Sequence, residues 1–234
     1  MSLDARSTII LQASIESYIK TGEPISSTWL FEHYDFGIKP AMIRHELNYL
    51  EDEGYLTQPH HSAGRIPTNK SYEWYVRDLL SSGSGTLVSS KNSSHNNLVD
   101  SFKARAWDML VEHLSHQLGV LGVAWDSNSQ HIHTDGLHNV VAGVDWQDAS
   151  EIIKIVYDFE RLSHTLVRAT DGFPIDDIAV FVGKRNPVIG SEEVAAMVAG
   201  YALGDGQTVY VCAVGPKRMN YAKVISTLQG LNNF

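Results

Sequence analysis

Between Lys39 and Lys70 lie the side chains of this chain best suited to meeting a polyanion. Arg44, His45 and Asn48 have spacings that place them on one side of a helix together with Ala41, and Lys39 and Met42 stand at its leading end. Such a row can enter a major groove about 12 Å wide, where Arg pairs with guanine, Asn pairs with adenine, and a small or apolar side chain meets a thymine methyl. A second group, His60, His61, Ser62, Gly64 and Arg65 with Lys70 just beyond, falls in a stretch from Gly54 to Tyr72 that contains no acidic residue. Imidazole and guanidinium groups on a short hairpin suit phosphates or a narrow minor groove. These twelve residues form the candidate DNA-binding set.

The elements that must position them follow from local chemistry. Pro40 suits the first position of a helix, because its fixed φ fits and its missing N–H had no partner there in any case. Ile43, Leu47 and Leu50 recur at helical spacing and turn inward, which leaves Ala41, Arg44, His45 and Asn48 outward. Gly54 ends this helix, and two extended segments, 55–59 and 65–68, flank His60 to Gly64 as a wing. Upstream, Leu11, Ile15, Tyr18 and Ile19 mark a helix over about 3–20 that Thr-Gly-Glu-Pro breaks. Ser26 and Ser27 can cap a second, short helix in which Trp29, Leu30 and His33 offer a packing face. Three helices and a hairpin make a winged helix-turn-helix, and a further helix over 68–80 carries a stripe of Tyr72, Tyr75, Val76 and Leu79.

Charge argues in two directions. Residues 1–80 carry 7 Lys/Arg against 11 Asp/Glu, and the whole chain of 234 residues has a net charge of -9. That balance disfavours a non-specific nucleic-acid coat. Phosphate contacts depend on the facing surface within about one Debye length, roughly 8 Å, so the acid-free segments outweigh the total. The single cysteine, Cys212, lies in an apolar run and reads as a buried, inert thiol, and no internal disulfide can form. No stretch is long and apolar enough to span a bilayer, and the expected compartment is the cytoplasm.

Residues 81–97, rich in Ser, Gly and Asn, read as a flexible linker that spans about 20–25 Å. Beyond it, residues 98–234 read as a small α/β domain, so the fold class is α+β. One helix is expected from Leu98 to Leu118, then a strand over 120–125. A long helical region follows Asp148. Strands are expected over 178–183, 194–203 and 207–214, the last two joined through Gly204-Asp205-Gly206, and a closing helix from Pro216.

Other chemistry is sparse. His131, His133, Asp135 and His138 have strand-like spacing for a metal, but they lack Cys partners, and a loop and strand edge is the expected reading. His113 and His116 share a helical face of an amphipathic element. Gly83-Ser84-Gly85 follows no strand and is no phosphate loop. Gly215-Pro216-Lys217-Arg218 could hold an anion at a helix start, although a structural role fits better. No nucleophile elbow, kinase signature or carboxylate pair is present, so neither an enzyme nor a cofactor is expected.

The residues at both ends resemble the HrcA family of heat-inducible transcription repressors. Near the N-terminus the resemblance rests on Thr21-Gly22-Glu23-Pro24, Ile43-Arg44, Leu50-Glu51, Gly54-Tyr55-Leu56, Gln58-Pro59-His60, and Ser62 through Thr68 to Tyr72 and Tyr75-Val76. Near the C-terminus it rests on Tyr201, Leu203-Gly204-Asp205-Gly206, Gly215-Pro216, Arg218-Met219 and Tyr221. It implies a GAF-like C-terminal domain, an inverted-repeat operator upstream of chaperone genes, and modulation by the GroEL chaperonin. Lys39, Met42 and His45 stand where the family has Ser, Thr and Asn, His61 replaces a Thr, and Asn220 replaces an Asp. Leu114 to Ser127 runs almost directly into Gly136 to Val140, where the family carries an inserted dimerising domain.

The expected function is therefore sequence-specific repression of heat-shock genes through the third helix and the wing. The alternative is a non-enzymatic interaction or ligand-sensing protein whose winged helix binds a protein partner. A homodimer is expected to form mainly on DNA, through an exposed sheet edge, the 98–118 helix or the surface around Trp74.

Overall fold

The computed structural model describes residues 3–60, 63–82, 93–143, 149–170, 173, 175–183, 186 and 188–232. It divides into two compact units, Met1–Asp78 and Leu79–Phe234.

In the first unit, α1 (Ala5–Thr21), α2 (Ser27–His33) and α3 (Pro40–Asp52) are followed by a two-stranded antiparallel sheet, β1 (Leu56–Thr57) and β2 (Ile66–Pro67), and by α4 (Asn69–Ser81). Side chains set the helix starts: Asp4 accepts from Ser7 N at 2.7 Å, and Ser26 accepts from Trp29 N at 3.1 Å. Gly22, at φ +72, ends α1 in the left-handed region open to glycine. The core is Ile10, Leu11, Ile15, Leu30, Ile43, Leu47, Leu50 and Val76, all fully buried. The face expected on α2 is only partly used, since Leu30 is buried while His33 is exposed and stacks on Trp29 at 3.9 Å.

In the second unit, α5 (Ser93–Lys103), α6 (Trp107–Leu118) and α7 to α9 (Leu137–Gly143, Ala149–Glu160, Leu162–Thr170) surround a five-stranded antiparallel sheet that α10 (Tyr221–Gly230) closes. The strands are β3 (Leu121–Asp126), β4 (Ile132–Asp135), β5 (Ile178–Val182), β6 (Val194–Ala202) and β7 (Thr208–Pro216), in the order β4-β3-β7-β6-β5. This is an α+β fold. One sheet face packs Val123, Trp125, Val198, Cys212 and Val214 against Val140, Ile155, Leu162 and Leu166 of α7 to α9. On the other, a Cβ at Gly122 would stand 2.7 Å from Val111 O of α6, and Tyr201 donates its hydroxyl to Leu228 O of α10 at 2.7 Å. Burial on both faces explains why β6 and β7 read as continuous apolar runs rather than alternating ones.

Four expectations need correction. Most of the expected 81–97 linker lies outside the described residues, as does Gly83-Ser84-Gly85, but Ser93 to Asn97 are helical, drawn into α5 by the burial of Leu98, Val99 and Phe102. The single 98–118 helix is broken, because Arg105 takes φ +55 without a glycine and is held there by Asp205 at 2.6 Å and Gln207 at 3.1 Å. The stretch read as a loop and strand edge forms a complete strand, β4, which pairs along β3 from Gly122↔Asp135 to Trp125↔Ile132. Pro216 ends β7 rather than starting a helix, and Asn220 caps α10 by accepting from Lys223 N at 3.0 Å.

Burial pushes the Cys212 thiol up to about 12 from its ordinary 9.0, and holds the Tyr201 phenol well above its usual value. A pKa raised on folding favours the protonated native form. Its stabilisation is complete below the unfolded value and is lost as pH climbs through the folded one. The urea midpoint should thus hold near neutral pH and fall above about pH 9, with a shallower fall for Cys212→Ala. A midpoint unchanged up to about pH 11 would contradict this burial.

Candidate nucleic-acid interface

Helix α3 presents the first group of candidate residues. Pro40 sits in its first turn as expected, with Lys39 as an N-cap that makes no side-chain capping bond. Ile43, Leu47 and Leu50 anchor the inner side, and Lys39, Ala41, Met42, Arg44, His45 and Asn48 are exposed. Met42 keeps 44% of its surface in water, an unusual placement for an apolar side chain on a helix with a well-formed inner face. The side chains of Lys39, Arg44 and His45 make no ion pair or hydrogen bond among the described residues.

Two of the three acidic residues of α3 are engaged within the fold, while Asp52, in its last turn, is exposed. Glu46 is 8% exposed and accepts from the Ser7 hydroxyl at 2.9 Å, with the Arg6 guanidinium 3.7 Å away. Its carboxylate thus ties α3 to α1 instead of facing outward. Glu51 receives Arg65 Nε at 3.0 Å. Two carboxylates that make the helix look acidic in sequence are therefore neutralised within the fold.

The second group divides. His60 is exposed, and His61 and Ser62 lie outside the described residues. Arg65 is the main correction: expected among the outward contacts of the wing, it stands just before β2 and turns inward. Its backbone pairs both ways with Ile25, at 2.9 and 2.8 Å, and its side chain, 13% exposed, bonds Glu51 and Asn48. Gly64 is also structural, since a Cβ there would stand 2.6 Å from the backbone of Pro24 and Ile25. The strand passes so close that only hydrogen fits. Lys70 remains exposed, but it donates to Glu53 O at 2.6 Å and lies 4.0 Å over the Tyr55 ring. Thr68 adds bonds to Gly54 O at 2.8 Å and Tyr55 O at 3.0 Å, so the turn between α3 and β1 is pinned from the start of α4. Sequence reasoning missed this clasp, although Glu51 lies one helical turn after Asn48 and the pair made a ready seat for a cation.

The histidines weighed for metal do not gather. His133 Nδ1 lies 2.7 Å from Asp108 Oδ1, and His113 Nδ1 lies 3.1 Å from the Ser101 hydroxyl. Among the described residues no group of three or more His, Cys, Asp or Glu is placed to hold a metal ion. In the segment weighed for an anion, Lys217 pairs with Glu193 at 3.3 Å and Arg218 is exposed.

The α+β architecture has a counterpart among solved structures. A protein described only as a hypothetical protein, in a crystal structure at 2.2 Å resolution, superposes with a TM-score of 0.73 over 98% of this chain and 99% of its own, at 16% identity. Residues 85–225 match the family model described as the HrcA protein C terminal domain, and the chain belongs to the HrcA family. The heat-inducible transcription repressor HrcA of Lachnoclostridium phytofermentans is 24% identical over 99% of this chain and 96% of its own length. That alignment runs to 331 positions against 234 residues, so a long part of the relative stands opposite gaps here. The HrcA of Alkaliphilus metalliredigens is 52% identical over 80 residues, which make up 34% of this chain and 23% of that protein. The HrcA of Bifidobacterium adolescentis is 36% identical over 136 residues, covering 56% of this chain and 36% of that one.

The close backbone approach gives a direct test. Gly64→Ala should destabilise the first unit by about 1–3 kcal/mol through overpacking. Gly204→Ala, where an added Cβ meets nothing within 4 Å, should change stability by less than about 0.5 kcal/mol. Thermal melts of the two variants that do not differ would refute the assignment.

Proposed function

We propose that this chain is a sequence-specific DNA-binding transcriptional repressor of heat-shock genes, acting in the cytoplasm. The single observation that carries the proposal is the outward row of α3, in which Arg44, His45 and Asn48 are exposed while Glu46 is buried. In this reading residues 1–80 form a winged helix-turn-helix with α3 in the major groove and β1–β2 as the wing. Residues 98–234 form a GAF-like regulatory domain. Lys39, His60 and Lys70 take the phosphate contacts, since Arg65 is engaged within the fold.

The relatives' printed name, heat-inducible transcription repressor, supports the repressor role. An inverted-repeat operator beside chaperone genes and modulation by GroEL rest on family membership. No helix among the described residues is long and apolar enough to cross a membrane. An inverted repeat needs two readers related by a two-fold axis, and one chain supplies one, so two copies assemble on the operator.

Arg44→Ala should cost about 1–3 kcal/mol on the operator and much less on random DNA, whereas Lys39→Ala should weaken both and lower the salt slope by roughly one. Equal losses for Arg44→Ala on both DNAs, measured by fluorescence anisotropy across a salt series, would remove its reading role. Sedimentation should show mainly monomer at low micromolar concentration and cooperative loading of two copies on the operator. Tight one-to-one binding that survives scrambling of one half-site would overturn the assembly.

A further inference from the structure

Asn48 is exposed on the outer row of α3, and its side chain is not free to choose an orientation. Arg65 Nη2 donates to Asn48 Oδ1, while Arg65 Nε donates to Glu51 Oε2 at 3.0 Å. A guanidinium has no acceptor, so the atom of Asn48 that faces it must be the carbonyl oxygen. The Nδ2 amide group is left pointing elsewhere, with no partner among the described residues. Arg65 is itself fixed by the backbone pairing with Ile25 and by burial to 13% exposure, so this orientation is built into the returning arm of the hairpin.

That arrangement alters what Asn48 can read. A free Asn pairs with adenine by accepting from N6 and donating to N7. Here the accepting atom lies against a cation, whose field opposes the approach of adenine's N6–H2 donor and favours a carbonyl oxygen. We infer that Arg65 sets Asn48 as a donor-only reader, so that Asn48 selects guanine, whose major-groove edge carries the acceptors N7 and O6, and rejects adenine. Arg65 is thus a positioning residue for base specificity and need not touch DNA. The inference rests on the placement of α3 in the major groove.

The test uses the full chain and a pool of randomised duplexes, selected for binding and sequenced. Asn48→Ala, an exposed change, identifies the base position that depends on Asn48. The native chain should prefer guanine over adenine there by about tenfold or more. Arg65→Met keeps the aliphatic stem but frees Oδ1, and preference at that one position should move to adenine. If Arg65→Met melts early, the double change Arg65→Met with Glu51→Met removes the paired charges together, a replacement that proteins often tolerate. Adenine chosen by the native chain at the Asn48-dependent position overturns the inference whatever the variants do, as does guanine retained once Arg65 is replaced. If Asn48→Ala changes no position, the inference fails as well. In that case a changed position for Arg44→Ala keeps the α3 reading intact, and none for either variant removes that reading too.

Discussion

A guanidinium largely withdrawn from water must have its donors met, and around Arg65 that requirement organises the whole interface end of the first unit. One residue engages two separate parts of the chain: its backbone pairs with Ile25, and its guanidinium meets the carboxylate of Glu51 and the amide of Asn48 on α3. The hairpin cannot slide along α3 without breaking the ion pair, and it cannot lift from the segment before α2 without losing two backbone bonds. Gly64 permits this approach because no side chain intervenes. Lys70 and Thr68 then fasten the other end of the hairpin to the turn after α3. A two-residue strand pair has little stability of its own, so its position relative to the helix is set by these polar contacts.

The same economy of charge bears on the apparent conflict between an acidic N-terminal unit and the DNA-facing role proposed for α3. Sequence counts treat every carboxylate as a surface charge, whereas Glu46 is folded against α1 and Glu51 is consumed by Arg65. What remains exposed along α3 is Arg44, His45 and Asn48 beside Ala41 and Met42, with the carboxylate of Asp52 in the last turn. A net charge describes the whole molecule, but a groove meets one side of one helix.

Where local chemistry determined local structure, the sequence was readable. Pro40 could only begin a helix, Ile43, Leu47 and Leu50 could only face inward, and the Gly204-Asp205-Gly206 turn between two apolar runs could only be a hairpin. Features set by distant partners were not readable. Arg65 beside a glycine resembles a surface residue until Glu51 and Asn48 are brought to it. Arg105 breaks a helix without glycine or proline because Asp205, a hundred residues away, holds it. The short polar strand β4 has no apolar signature and exists by pairing with β3. Pro216 followed a reliable rule for helix starts, but the β6 partner extended the strand through it, pairing Val194 with Pro216.

The doubly covered sheet has a further consequence for the life of the chain before and after folding. β6 and β7 contain no charged residue, and together with β3 they are covered by helices from both earlier and later in the sequence and by the loop residues Val188 and Ile189. A ribosome-bound or heat-loosened chain therefore exposes two nine-residue segments that are largely apolar and without a charge to stop them pairing with a neighbour. Aggregation competes with refolding most strongly in this part of the molecule.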